Sequence, residues 1–109
     1  MEIGIITAQR AVTAAGTPEK LKEAPEWQDN LVIAVLIRAN EDNTGLIYIT
    51  DAYRVADITT QGYALSPGET LELDASQFQE YTIDLAHYYI DAAVSGDGIR
   101  YVAVMELGF

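Results

Sequence analysis

The stretch from Leu31 to Asp51, LVIAVLIRANEDNTGLIYITD, most constrains what this chain can fold into. Two apolar, β-branched runs flank the polar hexapeptide Asn40-Glu41-Asp42-Asn43-Thr44-Gly45. Branched side chains lose rotamer freedom in a helix and pack well on a pleated surface. Asn, Asp and Gly tolerate positive φ and bond locally to the backbone, which favours a turn. The pattern predicts a β-hairpin with strands at residues 31–39 and 46–50. The first strand is apolar on both faces, which suits a central position in a sheet.

The rest of the chain repeats this grammar. Residues 1–12 alternate weakly and read as a strand or an arm, with Ile3 and Ile5 among its apolar positions. Thr13 to Pro18 is small and turn-prone. Residues 19–24 suit a short strand with Leu21 pointing inward, and 25–30 a loop carrying the only tryptophan, Trp27. Residues 51–61 read as an irregular crossover. Ser66-Pro67-Gly68-Glu69 is a turn with proline at its second position. Residues 70–74 alternate, 75–80 suit one helical turn, and 83–93 mix helical and strand signals. Ser95-Gly96-Asp97-Gly98 is the sharpest turn, and 99–107 a final strand. Short strands spaced roughly 8–12 residues apart and bounded by Gly, Pro or Asx point to an all-β fold. The expectation is an antiparallel β-sandwich or jelly roll of six to eight strands in one domain, residues 1–109, with 1–30 as an arm or edge segment.

Charge and composition exclude several functions. Seventeen acidic against six basic residues leave a formal charge of −11. Such a chain is repelled by phosphate backbones and anionic membranes, so no nucleic-acid or membrane partner is expected. The longest apolar run, residues 31–37, is far short of the roughly 20 that a spanning helix needs. The N-terminus lacks the basic and apolar regions of a signal peptide. Absence of cysteine removes disulfides, thiolate metal sites and cysteine nucleophiles.

Three constellations bear on chemistry. Asn40, Asp42, Thr44, Gly45 and Asp51 occupy positions 1, 3, 5, 6 and 12 of an EF-hand-like calcium loop. Strands flank it and Asp stands where a bidentate Glu is usual, so a solvated turn is the plainer reading. Asp84, His87 and Asp91 share a face if their segment is helical, where a histidine between carboxylates can act as a base. They diverge if it is extended. No nucleophile motif accompanies the single histidine, so no enzyme and no cofactor are expected. The seven tyrosines are spread through the chain and suit core or interface packing. Of the neighbours Tyr88 and Tyr89, one would face a partner if the segment is extended. Ile3, Ile5, Trp27 and Tyr88 are the partner-binding candidates.

From Leu31 onward the order of features resembles small β-sandwich domains of tailed-phage structural proteins, of the head-decoration and head-fibre type. The matching stretches are Ala39-Asn40-Glu41-Asp42-Asn43-Thr44-Gly45 and Leu65-Ser66-Pro67-Gly68-Glu69-Thr70-Leu71-Glu72-Leu73, then Asp84-Leu85-Ala86-His87-Tyr88-Tyr89-Ile90-Asp91-Ala92 and Gly96-Asp97-Gly98-Ile99-Arg100-Tyr101. The resemblance that these stretches anchor covers about two-thirds of the chain. The crossover at 51–61 is longer than usual for such domains, and the first 30 residues match none of the pattern. The resemblance implies a non-enzymatic virion protein made in the host cytoplasm. It would decorate the capsid, with the major capsid or another virion protein as partner, and form a homo-oligomer, with a trimer favoured. A carbohydrate- or receptor-binding module of a fibre or tail is the alternative.

Overall fold

A computed structural model describes residues 2–23, 31–78 and 82–106. The strands are β1 (Ile3–Ala11), β2 (Glu19–Lys20), β3 (Val32–Ala39), β4 (Ile47–Asp51), β5 (Tyr63–Leu65), β6 (Thr70–Asp74), β7 (Tyr88–Ala92) and β8 (Gly98–Glu106). They form two antiparallel four-stranded sheets, in the orders β1-β8-β3-β6 and β2-β7-β4-β5. Along the chain the strands pass back and forth between the sheets, and only β4 and β5 are both consecutive and hydrogen-bonded. This is the eight-stranded jelly roll, as the spacing of turn signals predicts. β3 is central, as its two apolar faces suggest.

The expected hairpin at 31–51 is corrected. β3 pairs with β6 and β8, whereas β4 pairs with β5 and β7. Residues 40–45 therefore carry the chain from one sheet to the other. Turn residues serve a crossover as well as a hairpin, so their chemistry does not decide the outcome. Burial does: Val35 and Ile37 face inward from one sheet, and Ile47 and Ile49 face inward from the other. The two apolar runs meet across the core instead of lying side by side.

That core joins both inner faces. Val12, Leu21, Val32, Val35, Ile37, Ile47, Leu65, Leu85, Ile90 and Ile99 are shut off from solvent, with Tyr101, Ala103 and Met105 beside them. Fully burying one such aliphatic side chain stabilises by roughly 1.5–3 kcal/mol, so the sheets hold together without a staple.

Residues 3–11 lie in the first sheet as its edge. β1 pairs with β8 along its whole length, from Ile3 opposite Glu106 to Ala11 opposite Gly98. Glycine is required at the end of that ladder. A Cβ on Gly98 would stand 2.4 Å from the Arg10 carbonyl oxygen. The open side of the sandwich is tied by Arg10, whose guanidinium reaches Glu19 and Glu23, each at 3.4 Å. The other Glu19 carboxylate oxygen accepts the Thr13 backbone N–H at 2.7 Å.

The remaining connections follow local chemistry. Between β4 and β5 run a 3-10 turn, Val55–Asp57, and the single-turn helix α1, Ile58–Gln61, which buries Ile58. At residues 66–69, Gly68 takes φ +83° after Pro67, and Ser66 accepts the Glu69 N–H at 2.9 Å, a type II turn. The turn expected at 75–80 is a 3-10 helix over Ala75–Phe78. The mixed segment 83–93 is both things in succession, a 3-10 turn at Leu85–His87 and then strand β7. Trp27, Tyr81, the expected loop at 25–30 and the end of the last strand at Leu107 lie outside the described residues.

Candidate functional site

The turn at 40–45 is a sealed corner. The Asn43 amide donates to the Gly98 carbonyl and its oxygen accepts the Gly98 N–H, both at 2.9 Å. One Asp97 carboxylate oxygen accepts the N–H groups of Thr44 and Gly45, at 3.1 and 2.9 Å. The backbone of Asp97 in turn accepts the Val12 N–H. Asn43 and Asp97 are both buried. Two turns that the sequence presents as separate are thus one unit, which satisfies backbone groups that a sheet ladder cannot reach.

The calcium-loop positions do not gather around a point. Asp42 and Thr44 are exposed at the corner, Asn40 uses its backbone to bond Gly98, and Asp51 closes β4 at its far end, where it accepts the Tyr53 N–H. The four rises of β4 alone separate that end from the corner by roughly 13 Å. Among the described residues, no three His, Cys, Asp or Glu side chains cluster as a metal site would need.

Asp84, His87 and Asp91 are likewise dispersed. Asp84 caps the 3-10 turn by accepting the Ala86 N–H at 3.0 Å. Asp91 is buried on the outer side of β7, where it accepts the N–H groups of Gly16 and Ala92 and fastens the 12–18 loop over the second sheet. His87 sits edge-on between Tyr53 and Tyr88, with ring centroids at 5.2 and 5.7 Å. These rings line an open cleft with Asp51, Thr82, Ile83 and Asp84. Tyr88 shares the inward parity of Ile90 and Ala92 and packs half-buried on the core. Its neighbour Tyr89, opposite Thr50 and Lys20, takes the outward side of the strand.

The first sheet presents a different surface. Its outward positions fall in register as cross-strand rows: Ile5 with Val104, Ala34 and Asp74; Thr7 with Val102, Leu36 and Glu72; Gln9 with Arg100, Arg38 and Thr70. Ile3 stands beside Glu106 at one end. Directly opposed side chains in such rows lie roughly 5 Å apart. Ile3, Ile5 and Leu36 are 58, 63 and 44% exposed. Together with Val102, Val104 and Ala34 they make a contiguous apolar patch on a solvent-facing sheet. Isolated apolar residues at a surface are ordinary, but contiguous ones mark contact with another molecule.

Charged groups frame the patch. Arg38 and Arg100 are directly opposed on adjacent strands, an unfavourable like-charge pairing. Glu41 pairs with Arg38. Among the described residues neither Arg100 nor Glu106 forms an ion pair. Asp74 accepts both the Ser76 hydroxyl, at 2.8 Å, and the Ser76 N–H, at 2.9 Å, which hold its carboxyl below the ordinary range.

Two of the four partner-binding candidates, Ile3 and Ile5, therefore lie on this patch, Tyr88 lies on the inner side of the other sheet, and Trp27 is outside the described residues. Leu36, Val102 and Val104 were not singled out from the sequence. Their signal was present as strands apolar on both faces. A sandwich strand buries only one face, so the second needs its own explanation. Asn43 and Asp97 were legible only as turn formers.

The chain matches no family model and no curated protein. Solved structures do resemble it; one of them, described as "Bacillus endospore appendages form a novel family of disulfide-linked pili", matches over 97% of this chain and 89% of its own, with a TM-score of 0.46 and 10% identity. Among the described residues no helix is long and apolar enough to cross a membrane.

Proposed function

We propose that this protein is a non-enzymatic virion structural protein, a head auxiliary that binds the outer capsid surface as an oligomer and stabilises it. The observation that carries this reading is the apolar outer face of the first sheet, with Ile3, Ile5, Leu36, Val102 and Val104 in adjoining rows. The face gives a highly acidic molecule a nearly neutral surface on which to assemble as an oligomer. The ordered motifs of residues 39–101, which resemble phage head domains, point the same way. A rigid jelly roll repeated over a lattice multiplies modest contacts by avidity.

The test is to purify candidate particles and count copies. Hundreds per particle fit decoration, a handful fit a fibre or connector, and absence from every particle would sink the proposal. Deleting residues 1–12 is not a clean probe of contact, because it removes the β1–β8 ladder and the buried Val12.

One observation favours the second reading, a carbohydrate- or receptor-binding module. The cleft of Tyr53, His87 and Tyr88 combines aromatic rings with the carboxylates of Asp51 and Asp84. Aromatic faces and paired acceptors suit sugar rings and hydroxyls. A glycan array that lights up with the native chain but not with Tyr53→Ala would support it, and a blank array would remove it.

A further inference from the structure

The outer face of the first sheet has an apolar centre, and its framing charges determine which molecule fits it. Arg100 and Glu106 lie on the same side of β8, six residues apart, so along the strand roughly 20 Å separates them and they cannot pair with each other. Neither has an ionic partner among the described residues. Arg100 stands opposite Arg38, an arrangement that disfavours the isolated sheet unless something else compensates it.

We infer that the occupant of this face is a second copy of the same chain, packed face to face about a two-fold axis that runs across the strands. This rests on the reading of the face as an assembly surface. Such an axis lays β8 on its partner's β8 in reversed direction. Arg100 of each copy then meets Glu106 of the other, and Val102 meets Val104. On β3, the larger Leu36 meets the smaller Ala34, and on β6, at the rim of the face, Asp74 of each copy meets Glu72 of the other, a like-charge contact that opposes association. The alternative axis, along the strands, would set Arg38 of each copy against Arg100 of the other and Ile5 of β1 against the carboxylate of Asp74 on β6, and so desolvate charges without a partner. Sheets stack in this aligned manner about 10 Å apart within sandwiches, and a two-fold contact is closed and self-complementary.

Charge over the whole molecule favours the same face. Two arginines against Glu72, Asp74 and Glu106 leave it nearly neutral, whereas the chain carries −11. Four strands at roughly 4.8 Å spacing, about 25 Å long in β1, β3 and β8 and about half that in β6, give a face on the order of 400 Å² in projection, or about 800 Å² over two copies, below the usual size of specific interfaces and in the range of weak ones. The dimer should therefore depend on concentration.

Sedimentation velocity of the full chain, from micromolar to millimolar, tests this. A monomer–dimer equilibrium is expected. Arg100→Glu and Glu106→Arg should each weaken it by about tenfold by opposing like charges, and the double exchange should restore it. Arg100→Glu places a carboxylate beside Arg38 and so should fold at least as well as the parent. Leu36→Asp, at the centre of the face and away from the β1 edge, should leave only monomer. Monomer at every concentration, a trimer, or a dimer indifferent to Leu36→Asp would overturn the proposal. Loss with Leu36→Asp but no response to the charge exchange would overturn the two-fold register. Copy number on particles tests the structural role separately: a dimer absent from particles would sink only that role, and a monomer abundant on them only this inference.

Discussion

The corner at residues 40–45 and 95–98 and the outer face of the first sheet reverse the usual distribution of polarity. At the corner, Asn43 and Asp97 are buried polar side chains with every bond directed at backbone. On the face, Ile3, Ile5 and Leu36 are large apolar side chains left open. Removing a polar group that satisfies buried backbone should destabilise the fold and leave surface properties alone. Removing an exposed apolar group should do the opposite. Polar burial here fixes how the two sheets connect, and apolar exposure is reserved for what lies outside the chain.

The largest effect should come at the corner. Gly98→Ala forces a Cβ into the Arg10 carbonyl and should cost roughly 3 kcal/mol, the upper end for overpacking. Asn43→Ala should cost about 1–3 kcal/mol, because it leaves the buried Gly98 N–H unpaired, while the Gly98 carbonyl keeps its bond from the Asn40 N–H. Urea titration with an unchanged m-value would check both. If neither variant shifted the midpoint, the corner would not be the fastener described.

The face should break the comparison from its other side. Ile5→Thr should change unfolding stability by no more than about 0.5 kcal/mol, yet weaken self-association measurably in light scattering. A large stability loss would mean the face serves the fold itself. Lowering salt should also weaken association, since screening relieves repulsion between copies of charge −11.

Smaller effects belong to the tethers. Arg10→Met removes the pairs to Glu19 and Glu23, which are partly exposed, and should cost at most about 1 kcal/mol. Glu69 is exposed, and the Ser66 backbone N–H followed by the Ser66 side chain lowers its pKa. The folded chain then holds that proton less tightly than the unfolded chain. The stabilisation is complete above the unfolded value and is lost as pH falls through the folded one, below the usual carboxylate range near 4. Glu69→Gln should therefore give a slightly shallower loss of stability on acidification, seen in thermal melts. An unchanged slope would remove the turn bond from the account.

Much of the fold was legible because strand propensity and turn chemistry are local. Val32 to Ala39 could hardly be anything but a central strand, and Ser66-Pro67-Gly68-Glu69 takes the turn its residues favour. The hairpin at 40–45 misled because a crossover and a hairpin use the same residues; long-range pairing of β3 with β8, some sixty residues away, outcompetes the neighbour. The calcium-loop spacing misled for a related reason, since a ligand series needs a loop that curls, and here a strand intervenes before Asp51. Tyr88 and Tyr89 take opposite sides of β7, and which of them faces outward depends on which side of the strand meets the core, a choice that local sequence does not encode.

By itself the sequence determined an all-β domain, its main strands, its acidic character and the absence of thiol chemistry. Those follow from side-chain shape, charge and composition, which act on near neighbours or on the whole chain at once. Only the tertiary structure decided which sheet each strand joins, that Asn43 and Asp97 close a corner, and that Ile3, Ile5, Leu36, Val102 and Val104 form one surface. Each of those depends on register between residues far apart in the chain, and a shift of one residue would turn every side chain of a strand to the opposite face.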